Sequence, residues 1–292
     1  MKGVIAMSDF SIGNLMPETS LCSLRIEGPV AYLTLTREDV YNALNIELIS
    51  EIISVLDWTK DRSVGERGTL KDENDAPYLR VIVLSGAGKH FCAGADINMM
   101  RDAGAKSAEE NRRDSERLDR LFNSLWAHPC FTIGKIQGVA LGGGAGLIAC
   151  LDHVISVPSA KIALSEGKLG ILPAVIGPYV YRKVGSAEFR RLSMLAGRIG
   201  AEDALRINLI NQLSESLDGV EDKIIKEVLT TGPMAVAESK RLTLTFDRWS
   251  ESDEELRLWT LDKTSEMRGS EEGQEGLASF LDKRVPAWKT EE

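Results

Sequence analysis

Two stretches of this chain carry residue types and spacings suited to chemistry. The first is GVALGGGAGLIACLDHVISVPSAKIALSEGKLGILP, residues 138–173. Three consecutive glycines, Gly142, Gly143 and Gly144, follow an apolar strand-like run and precede a second apolar run, residues 145–151. Glycine lets a backbone approach a ligand closely. A helix that starts there also presents N–H groups that have no intrahelical partner. Farther on, Glu166 stands between Leu164 and Leu169. A carboxylate beside an anion-binding backbone suits proton transfer next to a carbonyl. A glycine run alone is more often a packing device than a site, so the second stretch matters. It is HFCAGADINMM, residues 90–100, in which Ala93, Gly94 and Ala95 again place small residues between a β-like run and a helical one. Two such turns side by side aim two backbone N–H groups at one oxygen. Each donor of that kind is worth about two to three orders of magnitude in rate. A thioester carbonyl, whose enolate is within reach of a carboxylate base, fits the pair well.

Composition narrows the classes. The chain has 292 residues, 43% hydrophobic and 27% charged, with a formal net charge of −9. It is long enough for one large domain or two small ones. The acidic balance does not favour nucleic acid or an anionic membrane as partner. Cys22, Cys92, Cys130 and Cys150 are widely spaced in or beside apolar runs, which reads as buried free thiols in a reducing, cytoplasmic setting. Three histidines without metal-ligand spacing lead us to expect no metal site. No apolar run is long enough to span a bilayer, and the first residues show no cleavage pattern of a secretory signal.

The elements that must position the two stretches follow from periodicity. Residues 24–26 and 30–35 read as strands joined at Glu27-Gly28-Pro29. Asn45 is an N-cap candidate for a helix over residues 46–56, whose Leu48, Ile52, Val55 and Leu56 form one stripe. Residues 58–77 are charged and aperiodic and are expected to be an exposed loop insertion. Residues 79–84, LRVIVL, read as a strand buried on both faces. Residues 99–105 are expected to be a flexible connection near a pocket. Ser107 and Glu110 form a capping-box pattern before a helix striped by Leu118, Leu121, Phe122 and Leu125. Short strands follow at residues 131–136, 154–157, 161–164 and 207–213, and the chain is helical from Glu221 onward. The expected organisation is an N-terminal extension over residues 1–20, a core over 21–215 and a helical region over 216–292.

Taken together and in order, FCAGADI, GVALGGGAGLIACLD, SAKIALSEGKLGILP and EGLASFLDKRVPAW resemble the enoyl-CoA hydratase/isomerase (crotonase) family over roughly residues 24–288. The resemblance implies an α/β fold, a spiral of ββα turns with a helical C-terminal region that trimerises, as a homotrimer or a hexamer. It implies an acyl-CoA thioester as ligand and no cofactor beyond the coenzyme A of the substrate itself. The thioester oxygen would lie between the N–H groups of Ala95 and Gly143. Val40, Tyr41 and Ala43 would line the coenzyme A, and Ala93, Asp96, Ile97 and Asn98 would border its adenine and pantetheine. Gly142 and Pro173 would complete the contacts. Phe280 and Lys283 match positions where a C-terminal helix, often a neighbouring subunit's, approaches the nucleotide.

One departure bears on the reaction. Glu166 occupies the position of one hydratase glutamate of the family, but Gly146 stands where the second usually lies. The segments GGGAGLIACLD and LSEGKLGILPAVIGPYV resemble bacterial methylglutaconyl-CoA and isohexenylglutaconyl-CoA hydratases of leucine and acyclic-terpene catabolism, which share that glycine. The favoured expectation is water addition to a branched 2-enoyl-CoA with Glu166 as acid/base. The alternative is a Δ3,Δ2-enoyl-CoA isomerase with Glu166 as sole proton shuttle. A non-enzymatic acyl-CoA- or RNA-binding member is the third, disfavoured by Glu166, both glycine turns and the acidic charge. A distal carboxylate would want a cation, for which Lys168 and Arg101 are candidates. Ser165 is a candidate to orient Glu166, and Asp152 reads as a structural acid.

Overall fold

The computed structural model describes residues 15–289. The chain opens with an antiparallel hairpin, β1 (Cys22–Glu27) and β2 (Val30–Leu35). Helix α1 (Ile46–Asp61) and the short α2 (Val64–Arg67) follow, then β3 (Val81–Gly86), α3 (Ile97–Ala103) and α4 (Ala108–Trp126). Next come β4 (Phe131–Ile136), β5 (Val139–Leu141), α5 (Gly143–Ala149), β6 (His153–Ser156) and β7 (Lys161–Ala163). Helix α6 (Gly177–Leu195), broken at Gly185, precedes β8 (Ile199–Gly200), α7 (Ala201–Arg206) and β9 (Gln212–Leu213). The chain ends in α8 (Asp222–Thr230), α9 (Pro233–Asp247), α10 (Asp253–Gly269) and α11 (Glu271–Asp282).

These elements wind as a spiral. The larger sheet has the order β1-β2-β3-β4-β6-β9, parallel from β2 onward, and a smaller sheet has the order β5-β7-β8. After β4 and again after β6 the chain crosses to the smaller sheet and then enters a helix: β4, β5, α5, then β6, β7 and α6. The two earlier turns follow the same path with single bridges in place of full strands, Leu44 pairing with Ala95 and Cys92 with Ala140, all in parallel. The structure is thus a spiral of ββα turns followed by C-terminal helices, as expected. The alternation of β3 explains its place: Ile82 and Leu84 face the main core between sheets and helices, whereas Val81 and Val83 face a second cluster completed by Ile225 and Val228 of α8.

Local rules account for the helix starts. The Asn45 side chain accepts from the Leu48 N–H at 2.9 Å, and Ser107 and Glu110 form the full capping box. Three expectations are corrected. Helix α1 does not stop at Leu56 but runs to Asp61, and α2 follows, so the exposed insertion begins only after residue 67. The polar residues that hid this are buried ones: the Thr59 hydroxyl donates back to the Val55 carbonyl at 2.8 Å, and the Arg62 guanidinium lies over the Trp58 ring at 4.0 Å. Residues 97–103 are helical rather than a flexible connection, because Asp96 caps them through the Asn98 N–H at 2.9 Å. In the stretch 207–213 only Gln212 and Leu213 are strand; Leu209 and Ile210 reach the core from a turn bonded to the Ala204 carbonyl.

The extension expected over residues 1–20 lies, up to residue 14, outside the described residues. From Ser20 the chain is tied down: the Glu51 carboxylate accepts from the Ser20, Leu21 and Cys22 N–H groups. The C-terminal helices are anchored by one buried cation. Arg80 donates to the carbonyls of Val228, Leu229, Thr231 and Trp288, so a single guanidinium caps α8 and holds the tail. Burial pushes its pKa down to about 10, with the Glu272 carboxylate opposing the shift. Arg80→Met orphans these carbonyls and is expected to lower unfolding free energy by about 3 kcal/mol. Urea denaturation measures it, and a loss below about 1 kcal/mol would contradict this account.

Candidate active site

The smaller sheet delivers three functional groups to one place because successive turns of the spiral are stacked by backbone hydrogen bonds. The Leu44 N–H donates to the Gly94 carbonyl at 2.7 Å, and the Asp96 N–H donates to the Leu44 carbonyl at 2.9 Å. In that parallel ladder Ala95 itself has its N–H turned to the opposite side. There the next strand is bonded through Cys92 to Val139 and Leu141, and it ends at Leu141. Gly142 then turns into α5 with φ 47° and ψ −113°, a conformation open to glycine, while its N–H donates to the Ala163 carbonyl at 2.8 Å. The ladder stops before it reaches Ala95. The N–H groups of Ala95 and of Gly143, the first residue of α5, therefore have no backbone acceptor among the described residues. They are close neighbours: a Cβ built on Gly143 would lie 3.9 Å from the Ala95 nitrogen, and one on Gly94 would lie 3.5 Å from the Gly143 nitrogen.

Glu166 comes from the following turn, in a single 3-10 turn (Ser165–Leu169) after β7. A Cβ on Gly142 would sit 3.2 Å from the Glu166 Oε1 and 3.4 Å from the Ser165 Oγ, so the carboxylate rests against the bare Cα of the glycine turn. Glu166 Oε2 is buried without a hydrogen-bond partner. Burial raises the pKa of this carboxyl above the ordinary 4.5, against a smaller lowering by its own backbone N–H. Ser165 makes no hydrogen bond to it. An unpartnered, proton-hungry carboxylate beside two free backbone donors can move a proton next to a carbonyl whose oxygen gains charge.

These groups line one cavity of about 710 Å³. Val40, Tyr41, Ala43, Ala93, Ala95, Asp96, Ile97, Asn98, Gly142, Gly143, Glu166 and Pro173 all border it. The loop carrying Val40, Tyr41 and Ala43 is fixed from below. Arg37 bonds the Ala43 carbonyl and pairs with Asp96 at 3.1 Å, and the buried Asn42 side chain donates to the Ala87 and His90 carbonyls. Burial of the Asp96 carboxyl would raise its pKa. The Asn98 N–H and the Arg37 guanidinium outweigh that and hold it below its ordinary value.

Some expected residues fall elsewhere. Phe280 and Lys283, expected on a helix that often reaches a neighbouring subunit's nucleotide, do not border the cavity of their own chain; Phe280 is 82% exposed and Lys283 caps α11 in a left-handed conformation. Lys168 and Arg101 stay outside the lining, which contains no lysine or arginine, because Lys168 is exposed and Arg101 is paired with Asp102 on the surface. Asp152 is a structural acid: it accepts from the Thr132 N–H and hydroxyl and pairs with Lys240 at 2.5 Å. The sequence missed Leu118 and Phe122 as lining residues, whereas the segment 172–176, on which pocket depth was expected to depend, does line the cavity. Leu118 and Phe122 lay on a helical stripe indistinguishable from core, and Phe122 and Ile176 are core residues that also face the cavity. Among the described residues no group of three or more histidine, cysteine, aspartate or glutamate side chains is placed to hold a metal ion. Nor is any helix of the described residues long and apolar enough to cross a membrane.

Paired backbone donors and a buried carboxylate on a ββα spiral define a class, and comparison with known proteins agrees. The enoyl-CoA hydratase/isomerase family model matches residues 25–291. The chain belongs to that family, whose members are enzymes acting on acyl-CoA thioesters. The short-chain-enoyl-CoA hydratase of Clostridium acetobutylicum is 29% identical over 265 residues, covering 89% of this chain and 94% of its own. Among solved structures, an enoyl-CoA hydratase from Shewanella pealeana is 36% identical with a TM-score of 0.83, covering 92% of this chain and 96% of that one. Pseudomonas aeruginosa AtuE is 31% identical with a TM-score of 0.82, covering 93% and 100%.

Two outcomes are expected at this site. A methyl added at Gly94, where φ is 95°, would lie 2.6 Å from the Leu141 carbonyl oxygen. Gly94→Ala is therefore expected to displace the Ala95 N–H and cost about two orders of magnitude in kcat; steady-state kinetics on the active substrate reads it, and a loss under about tenfold would contradict the assignment. Glu166 must be ionised to act as base. With its pKa raised, the acidic limb of kcat is expected to titrate above 4.5, activity being lost as pH falls through that value. A limb at or below 4.5 would mean that another group controls it.

Proposed function

We propose that this enzyme adds water to the double bond of a 2-enoyl-CoA. The supporting observation is the carboxylate of Glu166 against Gly142, beside the unpaired N–H groups of Ala95 and Gly143. In this reading the thioester oxygen accepts from both N–H groups. Glu166 takes a proton from water as the water oxygen bonds to the β-carbon, and the π electrons move into the enolate held by the two donors. The protonated Glu166 then returns that proton to the α-carbon, so the carboxylate is regenerated and one water is consumed. The apolar surroundings that raise its pKa favour this return.

The finer reading is a branched acyl chain of the methylglutaconyl type. It rests on the resemblance of residues 141–151 and 164–180 to glutaconyl-CoA hydratases. The lining offers a distal carboxylate no lysine or arginine, and the nearby Lys106 is already paired at 2.5 Å with the lining Asp114. Assembly as a homotrimer or hexamer, in the cytoplasm, belongs to the same proposal. It is supported by the apolar residues that the last two helices leave exposed, Leu258, Leu261, Leu277, Phe280 and Leu281.

A second reading has its own observation. The space beside Gly146 is filled by Ile176 and Phe122, which leaves Glu166 as the one acid at that wall. A single carboxylate also suits proton shuttling between the α- and γ-carbons of a 3-enoyl-CoA. Incubation with 3-methylglutaconyl-CoA and, separately, with a 3-enoyl-CoA separates the two by mass spectrometry. Gain of one water on the glutaconyl ester is the expected result. Conversion of the 3-enoyl ester to its 2-enoyl isomer without hydration would replace the hydratase reading with the isomerase one. Glu166→Gln is expected to abolish turnover, by at least about three orders of magnitude, with acyl-CoA binding retained.

A further inference from the structure

We infer that Ile176 is the residue that selects the acyl group, an inference that rests on the acyl-CoA reading of this site. Gly146 lies one helical turn beyond Gly143 on α5 and is buried. A Cβ built on it would run into Ile176 Cγ2 and lie 3.0 Å from both Ile176 Cβ and Phe122 Cε1. Ile176 and Phe122 are 3% and 1% exposed, yet both border the cavity. They are therefore a wall seen from inside the cavity, not from solvent. In the acyl-CoA reading, a chain whose carbonyl meets Ala95 and Gly143 shares its cavity with this wall, which stands against Gly146 one turn farther along α5.

The wall is stiff. Ile176 is the residue from which α6 starts, its carbonyl accepting the Val180 N–H at 3.1 Å. Phe122 lies against Tyr179, whose ring meets Trp126 at 5.5 Å between centroids. Neither side chain can retreat without repacking that aromatic set. The missing Cβ of Gly146 is what lets Ile176 come so close, and Ile176 in turn sets how much room an acyl branch finds. Trimming Ile176 opens space next to Gly146 without touching Glu166 or the two N–H groups.

Equilibrium binding tests this without turnover. Isothermal titration of the full chain with butyryl-, isovaleryl- and octanoyl-CoA gives the ratio of dissociation constants for bulky against compact acyl groups. Ile176→Ala is expected to move that ratio about tenfold toward the bulky esters, with Ile176→Val moving it less in the same direction. A ratio that stays within about twofold of the unmodified protein in both variants overturns the assignment. Failure of the unmodified protein to bind any acyl-CoA would instead overturn the acyl-CoA reading, and this inference with it. The conservative valine variant keeps the test readable if the alanine variant does not fold. A double-mutant cycle checks the contact itself: Gly146→Ala should lower the Tm in the unmodified protein and lower it less in the Ile176→Ala background. Equal losses in both backgrounds would also overturn the inference.

Discussion

The structure depends on a backbone ladder that runs across turns of the chain rather than along one strand. Leu44 is bonded to Gly94 and Asp96, Cys92 to Val139 and Leu141, and Gly142 to Ala163. Each turn supplies only a few residues to the smaller sheet, so no strand there would be stable alone. Stacked, they register one strand end on the next within a hydrogen-bond length. The helices begin where those strands stop, which is why Ala95, Gly143 and Glu166 converge although 71 positions separate the first from the last. The two free N–H groups follow from the same geometry: the ladder would have used them had it continued by one residue.

Polar groups around this ladder divide into those that hold the structure together and one carboxylate that bonds to no neighbouring side chain or loop. Asn42, Arg37, Asp96, Asp152 and Arg80 each spend hydrogen bonds on fixing a loop or a helix end, although Asn42 Oδ1 and Arg80 Nε are themselves left over. Glu166 anchors no loop or helix end: it is half-buried, and its Oε2 is enclosed without a partner. Leaving such a group unpaired costs stability, and the rigid, well-bonded surroundings are what allow the fold to carry that cost at its site. Gly146 belongs to the same balance. The space beside Gly146 is taken up by packing of Ile176 and Phe122, so a larger side chain there would have to displace them.

Much of this was legible in the chain. The N-caps Asn45 and Ser107, the doubly buried run of β3 and the placement of small residues at both glycine turns are local properties, decided by hydrogen bonds within a few residues or by residue type. Where the reading failed, distant partners had decided the matter. Thr59 and Arg62 look like solvent-facing residues, but Thr59 is buried against His128 and Arg62 over Trp58, so α1 is longer than its apolar stripe. Residues 99–105 look like a flexible link, but Asp96, itself held by Arg37, fixes the start of a helix there. Phe122 read as core and is core, yet its other side faces the cavity, a distinction periodicity does not carry.

By itself the sequence determined the family and the spiral of strands and helices and singled out a candidate carboxylate and two candidate donor residues, because each rests on residue type and short-range spacing. Only the tertiary structure decided that the donors are unpaired, that Glu166 lies against Gly142 with one oxygen free, and that the space beside Gly146 is filled from α4 and the start of α6. Those properties depend on which backbone amides find acceptors and which side chains share a volume. Residues far apart in the chain settle both, and they meet only when the turns of the spiral stack.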